Sequence, residues 1–596
     1  MRTAQAAHAR RDRDRMPGGC ALGPAARRAL TPAARPLAVL PAARTVAAVL
    51  ACAVLGFSLG DPAALGVMYF GAACAAVFVT PGVYRARALA LAAQALGAAA
   101  GLGLGALPVG LTGTVVVAAA VAFVSGAAGA IGPLFTAGAL MAVIGVAFGQ
   151  FSGLAMPWWQ QALWYLLGTA VVAVPALLPW AVRARTLERR AVAEVFRASA
   201  DLLDAVGTAD APERRADLAS RSAAAQASVL GYRLTPPRRR PEILVELAAA
   251  QRAALDAATH YASGAVAEPG TANGFRAEGR LVRAGRPSGA HEGAPPVMAP
   301  WGRSALANLR RVGPRALLLA GARLAWCMAL ATAAAGLLHH AGHSYWLPLT
   351  VAVVVRTEYG SVFARTVNRI GGTVGGAFVA AVALSFLGSG WPLVPVAACA
   401  IGFAVLVAPR LYALSVVGIT ASALLSACFA GPDAVLPALR LGDTAIGCAI
   451  ALVFGYLLWP GRRSLPGEAH FAATAHAAVD YLREIAATGR KPDDLPRVRE
   501  DAYRAAHESR AAAAAVAADP TPSRTGGDAA LPVAVALEDA VDGVSALDAA
   551  LRAGRRPLGE HELDELEHAI LACAADGAVP APSPAQIARR LLGARR

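Results

Sequence analysis

Twelve long apolar runs decide what this chain can fold into. A helix that crosses a bilayer needs about 20 consecutive, mostly apolar residues. Runs of roughly that kind cover 43–60, 62–80, 87–107, 111–129, 131–150 and 161–181, and again 316–337, 345–356, 366–388, 392–409, 411–430 and 440–460. The run beginning near Tyr345 is the shortest. Hydrocarbon offers no partner to a backbone N–H or C=O, so each span is expected to be a helix. Glycine and proline recur inside the runs, which membrane helices tolerate better than soluble ones. Only 16% of the 596 residues are charged, against 56% hydrophobic, whereas a soluble domain carries about 25% charged residues. The expectation is an all-α polytopic membrane protein.

The spans fall into two sets of six. The reading is a basic tail at 1–35, a membrane segment at 36–181, a helical segment at 182–315, a second membrane segment at 316–460, and a helical segment at 461–596. Residues 264–300 are rich in Gly, Pro, Ala and charge and read as a flexible linker. The stretches RARTLERRAVAEVFRASADLLDAV and PEILVELAAAQRAALDAATHYASG show helical spacing. In the tail, helices are expected near 465–517, 531–553, 557–577 and 584–594, with a break near 518–530. The first 35 residues lack a short apolar core with a cleavage site and read as a cytoplasmic tail, not a removable signal peptide.

The formal net charge is +16, carried almost wholly by arginine; Lys491 is the single lysine. These charges sit between apolar runs and in the tails rather than on one module, which fits topology signals and anionic lipid headgroups better than nucleic acid. With the N-terminus inside, the inner connections hold Arg85, Arg87, Arg356, Arg365, Arg369 and Arg410, and the outer ones only Arg440. Both helical segments then lie in the cytoplasm, and Trp158, Trp159, Trp346 and Trp391 fall near the outer interface, where amphipathic rings settle. Six of the eight cysteines lie inside apolar runs and none forms a CxxC pair, so neither a zinc site nor a disulfide framework is indicated. No phosphate-binding loop of the GxxxxGK[ST] kind is present. No nucleophile–base pair, metal signature or cofactor loop marks an enzyme.

One constant shift in register brings Arg44 onto Arg323, Gly97 onto Gly376, Gly168 onto Gly447 and Trp180 onto Trp459. Six spans per copy give the copies the same orientation, a layout known among transporters. The copies differ in polarity: Trp164 corresponds to Asp443 and Gln161 to Arg440. The second copy therefore holds more of the ionisable residues.

The second copy contains HSYWLPLTVAVVVRTEYGSVFARTVNRIGGTVGGAFVAAVAL and ends in RLGDTAIGCAIALVFGYLLWP. These segments resemble the fusaric acid resistance protein-like family, which belongs with the aromatic acid exporters. In the first copy, GDPAALGVMYFGAACAAVFVTPGVYRARALALAAQALGAAAG is similar to that family's weaker N-terminal copy. The resemblance implies a multi-pass protein of a bacterial plasma membrane. It implies efflux of small organic anions such as aromatic carboxylic acids, driven by the proton gradient.

Ionisable groups inside a span are costly and are functional candidates by default. Arg323 either snorkels to headgroups or binds a carboxylate through its planar fork. Arg365 and Arg369 are four residues apart on one helix face; with Asn368 and Arg356 they would form a basic inner mouth where anions load. The alternative for the arginines is topology signalling alone. Tyr345 and Trp346 could stack on an aromatic substrate or anchor the interface. Asp443 is the candidate proton carrier, because desolvation favours the protonated carboxyl, though Arg440 one turn earlier could pair with it. Glu358 is a second candidate, or a local partner of Arg356. His339, His340 and His343 cluster at an outer connection with only weak metal-like spacing. Two other readings of the fold stay open: an anion channel with an arginine selectivity ring, and a non-transporting scaffold whose cytoplasmic helices bind partners. Neither excludes a homo-oligomer.

Overall fold

The computed structural model describes residues 27, 30–33, 35–78, 82–182, 185–230, 242–286, 302–338, 344–355, 362–429, 435–459, 466–487, 494–517 and 527–593. Every regular element among them is a helix. Six apolar helices come first: α1 (Val39–Ser58), α2 (Pro62–Val77), α3 (Tyr84–Gly105), α4 (Leu111–Gly129), α5 (Pro133–Phe151) and α6 (Trp158–Leu177). Four amphipathic helices follow: α7 (Thr186–Ala205), α8 (Ala211–Leu230), α9 (Glu242–Ser263) and α10 (Thr271–Ala284). The second apolar set is α11 (Gly302–Leu338), α12 (Trp346–Val354), α13 (Val362–Leu387), α14 (Leu393–Val407), α15 (Tyr412–Ala427) and α16 (Leu436–Leu452), the last continuing as a π-helical turn over Val453–Leu457. The chain closes with α17 (Pro466–Ala486), α18 (Asp494–Ala517), α19 (Gly527–Arg552), α20 (Glu560–Ala575) and α21 (Pro584–Gly593).

Seven helices are long and apolar enough to cross a membrane: α1, α3, α4, α6, the part of α11 after its kink, α13, and α16 with its π turn. Four more apolar helices, α2, α5, α14 and α15, are shorter, and α12 has nine residues. Proline trims two of them, since α2 and α5 open on Pro62 and Pro133; a missing N–H costs nothing at a first turn. Asp61 caps α2 by accepting from the N–H groups of Ala63 at 2.9 Å and Ala64 at 3.1 Å. In α11 the Gly313–Pro314 pair breaks the helix, with Gly313 at φ 73°, a conformation that glycine adopts without strain.

Helix neighbours recur in the same order in both apolar sets. In the first, α3 packs on α4, α5 and α6, α5 on α4, and α1, α2 and α6 pack together pairwise; in the second, α13 packs on α14, α15 and α16, α15 on α14, and α11, α12 and α16 pack together pairwise. The sets meet through α1 with α14 and α4 with α11, and through α2 with α15 and α5 with α12. Small residues allow these approaches. A Cβ on Gly97 would overlap the Gly138 carbonyl of α5, and one on Gly376 would sit 2.6 Å from the Val417 carbonyl of α15. Gly168 meets the Met68 carbonyl and Gly447 the Leu347 carbonyl. Between the sets, Gly321 faces the carbonyl of Phe123, and Gly402 that of Ala42. Each of these glycines and its partner has its counterpart at the same offset that relates Arg44 to Arg323.

The two amphipathic segments have apolar cores of their own, around Val192, Phe196 and Leu247 in one and Tyr481, Leu537 and Ile570 in the other. They join where α9 packs on α19 and α21. Arg215 of α8, 4% exposed, forms ion pairs with Asp542 and Glu538 of α19; its Nη2 lies 2.8 Å from Asp542 Oδ1. Tyr503 donates to Asp542 at 3.0 Å, and Arg510 pairs with Glu538. Burial pushes the nearby His507 down to about 4, so it is neutral beside Glu538 at neutral pH. The flexible-linker reading of 264–300 fails over 271–284, which are helix α10. Ala272, Phe275, Gly279 and Val282 form one apolar stripe that packs on the α7 side of the core. Composition suggests a linker because glycine and charge dominate, but the stripe is regular enough to be buried. Residues 287–300 lie outside the described part.

Candidate functional site: a buried cationic pocket around a short helix

At about 1.5 Å per residue, the nine residues of α12 rise only about 14 Å, less than half of a bilayer core of about 30 Å. Short or interrupted membrane helices are the recurrent frame of transporter sites, because their ends bring backbone dipoles to the interior. Eight of the nine α12 residues are buried, from Trp346 to Val354, so both helix ends need partners inside the protein.

Arginines supply them. Arg365 of α13 is half-buried and its Nε donates to the Val354 carbonyl at 3.1 Å. A cation at a helix C-terminus complements the helix dipole. Arg440 of α16, 2% exposed, reaches the other end: its Nη1 lies 3.5 Å from the Trp346 carbonyl and its guanidinium carbon 5.2 Å from the Trp346 ring centroid. The ring face offsets part of the cost of burying the charge. Arg440 sits at the positive end of the α12 dipole, however, so the two add rather than cancel.

Arg369 adds to this field. It is 3% exposed, its Nε and Nη2 have no hydrogen-bond partner, and Arg440 lies within its Coulombic reach. Asp443, 4% exposed and three residues beyond Arg440, is the one carboxylate among the buried charges described in α11–α16, against Arg323, Arg369 and Arg440. The hydroxyls of Thr373, one turn beyond Arg369, and of Thr444, beside Asp443, are also buried without a hydrogen-bond partner. The result is a desolvated region with an excess of positive charge and unused donors.

The other sequence candidates distribute around this region. Asn368 faces α15: its side-chain carbonyl accepts from the Ala413 N–H at 2.9 Å and its amide donates to the Ala364 carbonyl at 2.7 Å. It ties two helices rather than standing open to a ligand. Arg323 donates from Nε to the Gly455 carbonyl at 2.6 Å, inside the π turn, where the α-helical ladder is interrupted. Snorkelling is therefore not its arrangement. Tyr345 stacks edge-on against Trp346 and Phe148, with centroids 5.8 and 5.0 Å away. Trp346 itself corrects an expectation: it is 2% exposed, whereas Trp158, Trp159 and Trp391 are about half exposed. It is a core residue under Arg440, not an interfacial anchor. Arg356, Glu358, His339, His340 and His343 lie outside the described residues. Thr373 and Thr444 carry no signal in the sequence, because threonine is ordinary in membrane helices; only their burial beside arginines sets them apart.

Residues 328–454 match the family described as fusaric acid resistance protein-like. That stretch includes α12 whole, with Arg365, Arg369, Arg440 and Asp443, and leaves out Arg323. Over 162 residues the chain is 35% identical to the uncharacterized protein YhfK of Escherichia coli strain K12, covering 26% of this chain and 22% of that protein. Over 181 residues it is 31% identical to the uncharacterized protein ORF2 of Neisseria gonorrhoeae, covering 29% of this chain and 42% of the other. The match thus spans less than half the length of either relative. No solved structure matches the chain. The apolar helices and the matched segment together make this an integral membrane protein whose second membrane set is of the fusaric acid resistance protein-like type.

Proposed function

We propose that the chain is a secondary exporter of small organic anions, aromatic carboxylates among them, built from two six-helix repeats in parallel orientation. The observation that carries this reading is the buried excess of positive charge around α12, with Arg369 offering Nε and Nη2 that no protein group uses. Leaving charged donors unsatisfied in a dry interior is costly. A carboxylate arriving there would accept from the planar fork bidentately. Tyr345 and the Trp346 ring lie next to Arg440 and suit an aromatic body.

The repeat reading is supported by the recurring helix neighbours and by close approaches that recur at the Arg44-to-Arg323 offset. With even numbers of spans, both termini and the amphipathic helices α7–α10 and α17–α21 would lie on the cytoplasmic side. Alternating access would come from rocking of one repeat against the other across the α1–α14 and α4–α11 seams. Asp443, buried near Arg440, is the group through which protons would reach the anion. Ionised, it competes with the anion for the arginines; protonated, it leaves them free.

The test is uptake of labelled benzoate into inside-out vesicles under an imposed pH gradient. Arg369→Gln is expected to cut transport at least tenfold with unchanged membrane abundance. Arg369→Lys, which keeps the charge but not the fork, should retain part of it. Flux that needs only a membrane potential and no pH gradient would instead favour an anion channel. Transport unaffected by Arg369→Gln would remove the cationic pocket from the mechanism.

A further inference from the structure

Away from the membrane helices, α7, α9 and α10 enclose a cleft of about 260 Å³. Two aromatic rings line it, Phe196 from α7 and Phe275 from α10, together with Arg252 and Asp256 from α9 and Glu278 from α10. Phe196 is 2% exposed, so its ring is fixed by the core behind it. Arg252 and Asp256 are four residues apart and share a helix face. Gly279 sets the depth of the cleft: a Cβ there would lie 3.1 Å from the Ala193 carbonyl and 3.2 Å from the Phe196 Cβ. Without that Cβ, α10 lies close on α7, and the neighbouring Glu278 is carried into the wall.

Glu278 is the informative residue. Its Oε2 is buried and has no hydrogen-bond partner. A buried carboxylate oxygen without a donor forfeits about 1–3 kcal/mol of solvation, and more when ionised. The cleft holds two carboxylates and one guanidinium, a net negative balance beside two aromatic faces, and both features attract a cation. This balance is opposite in sign to that of the α12 pocket, so the two sites select different ligands.

We propose that this cleft is a binding site for a small organic ammonium compound, a primary amine on a short aromatic or apolar body. Its N–H groups donate to Glu278 and Asp256, and its body lies against Phe196 and Phe275. The volume is just below the roughly 300–1,000 Å³ of drug-sized sites, which limits the ligand to a single ring with a short chain. Because α9 also packs on α19 and α21, an occupant would bear on the element that joins the two amphipathic segments.

The experiment is calorimetric titration of the full-length, detergent-solubilised protein with 2-phenylethylamine, using 3-phenylpropionate as an anionic competitor of the same shape. Saturable one-to-one amine binding is expected, weakened at least tenfold in Glu278→Gln and in Phe275→Ala, and not displaced by 3-phenylpropionate. Thermal unfolding of Glu278→Gln should match or exceed that of the parent protein, which separates lost binding from lost folding. Absence of saturable amine binding, equal affinity in Glu278→Gln, or displacement by the carboxylate would each overturn the proposal.

Discussion

Arg369 and Asn368 are neighbours in sequence and read alike as polar residues at a basic mouth, yet they do different work. Asn368 spends both ends of its amide on backbone, one on α13 itself and one on the first turn of α15. Replacing it with alanine leaves the buried Ala413 N–H without an acceptor, a loss of about 1–3 kcal/mol. Asn368→Ala should therefore lower the thermal midpoint of the solubilised protein while leaving the apparent affinity for anions within twofold. A lower affinity at unchanged stability would place Asn368 at the ligand instead. Arg369 keeps two donors unused, and that distinction is invisible in the sequence. Spacing of four puts Arg365 and Arg369 on one face, but only the position of α12 gives Arg365 a carbonyl and leaves Arg369 without one.

At the scale of elements, α12 and α10 depart most from what the linear chain suggests. The run at 345–356 is legible as the shortest span, but not as a helix buried at both ends, because burial of its ends depends on arginines from α13 and α16. Residues 271–284 are legible as glycine-rich and charged; the apolar stripe becomes a helix because α7 offers a surface for it. Glycine at the helix crossings is legible as a packing device. Its individual weight follows from what a side chain would meet: Gly97→Ala and Gly376→Ala each drive a methyl into a facing backbone carbonyl, whereas Gly371 has nothing within 4 Å. The first two substitutions should each destabilise by about 1–3 kcal/mol, and Gly371→Ala should be neutral or slightly stabilising through better helix propensity. Thermal unfolding of the three variants side by side checks this; equal midpoints for Gly376→Ala and Gly371→Ala would contradict the close α13–α15 approach.

For the molecule as a whole, the distant partnership of α8 with α19 matters most. Arg215 and its carboxylates are far apart in the chain, and their pairing joins the segment between the membrane sets to the C-terminal one. Removing one member of a buried ionic cluster strands the others, at a cost of about 3–5 kcal/mol, while replacing all of them together is far milder. Arg215→Met should expose α8–α9 to limited proteolysis, and Arg215→Met combined with Glu538→Gln and Asp542→Asn should restore much of the protection. Identical digestion patterns for the single and triple variants would show that the cluster does not hold the segments together.

Hydropathy alone determined that this chain is helical and membrane-embedded, since the length of an apolar run and the lack of water in hydrocarbon leave few other structures. The linear chain also set the order of segments and the constant offset between related landmarks such as Arg44 and Arg323. The tertiary structure decided which arginines are satisfied by backbone, that Trp346 is core, that α10 exists, and that the two amphipathic segments share one ionic cluster. Those outcomes depend on which surfaces meet. Periodicity fixes the face a side chain occupies, but the energy of a buried charge is set by the partner that a different part of the chain brings to it.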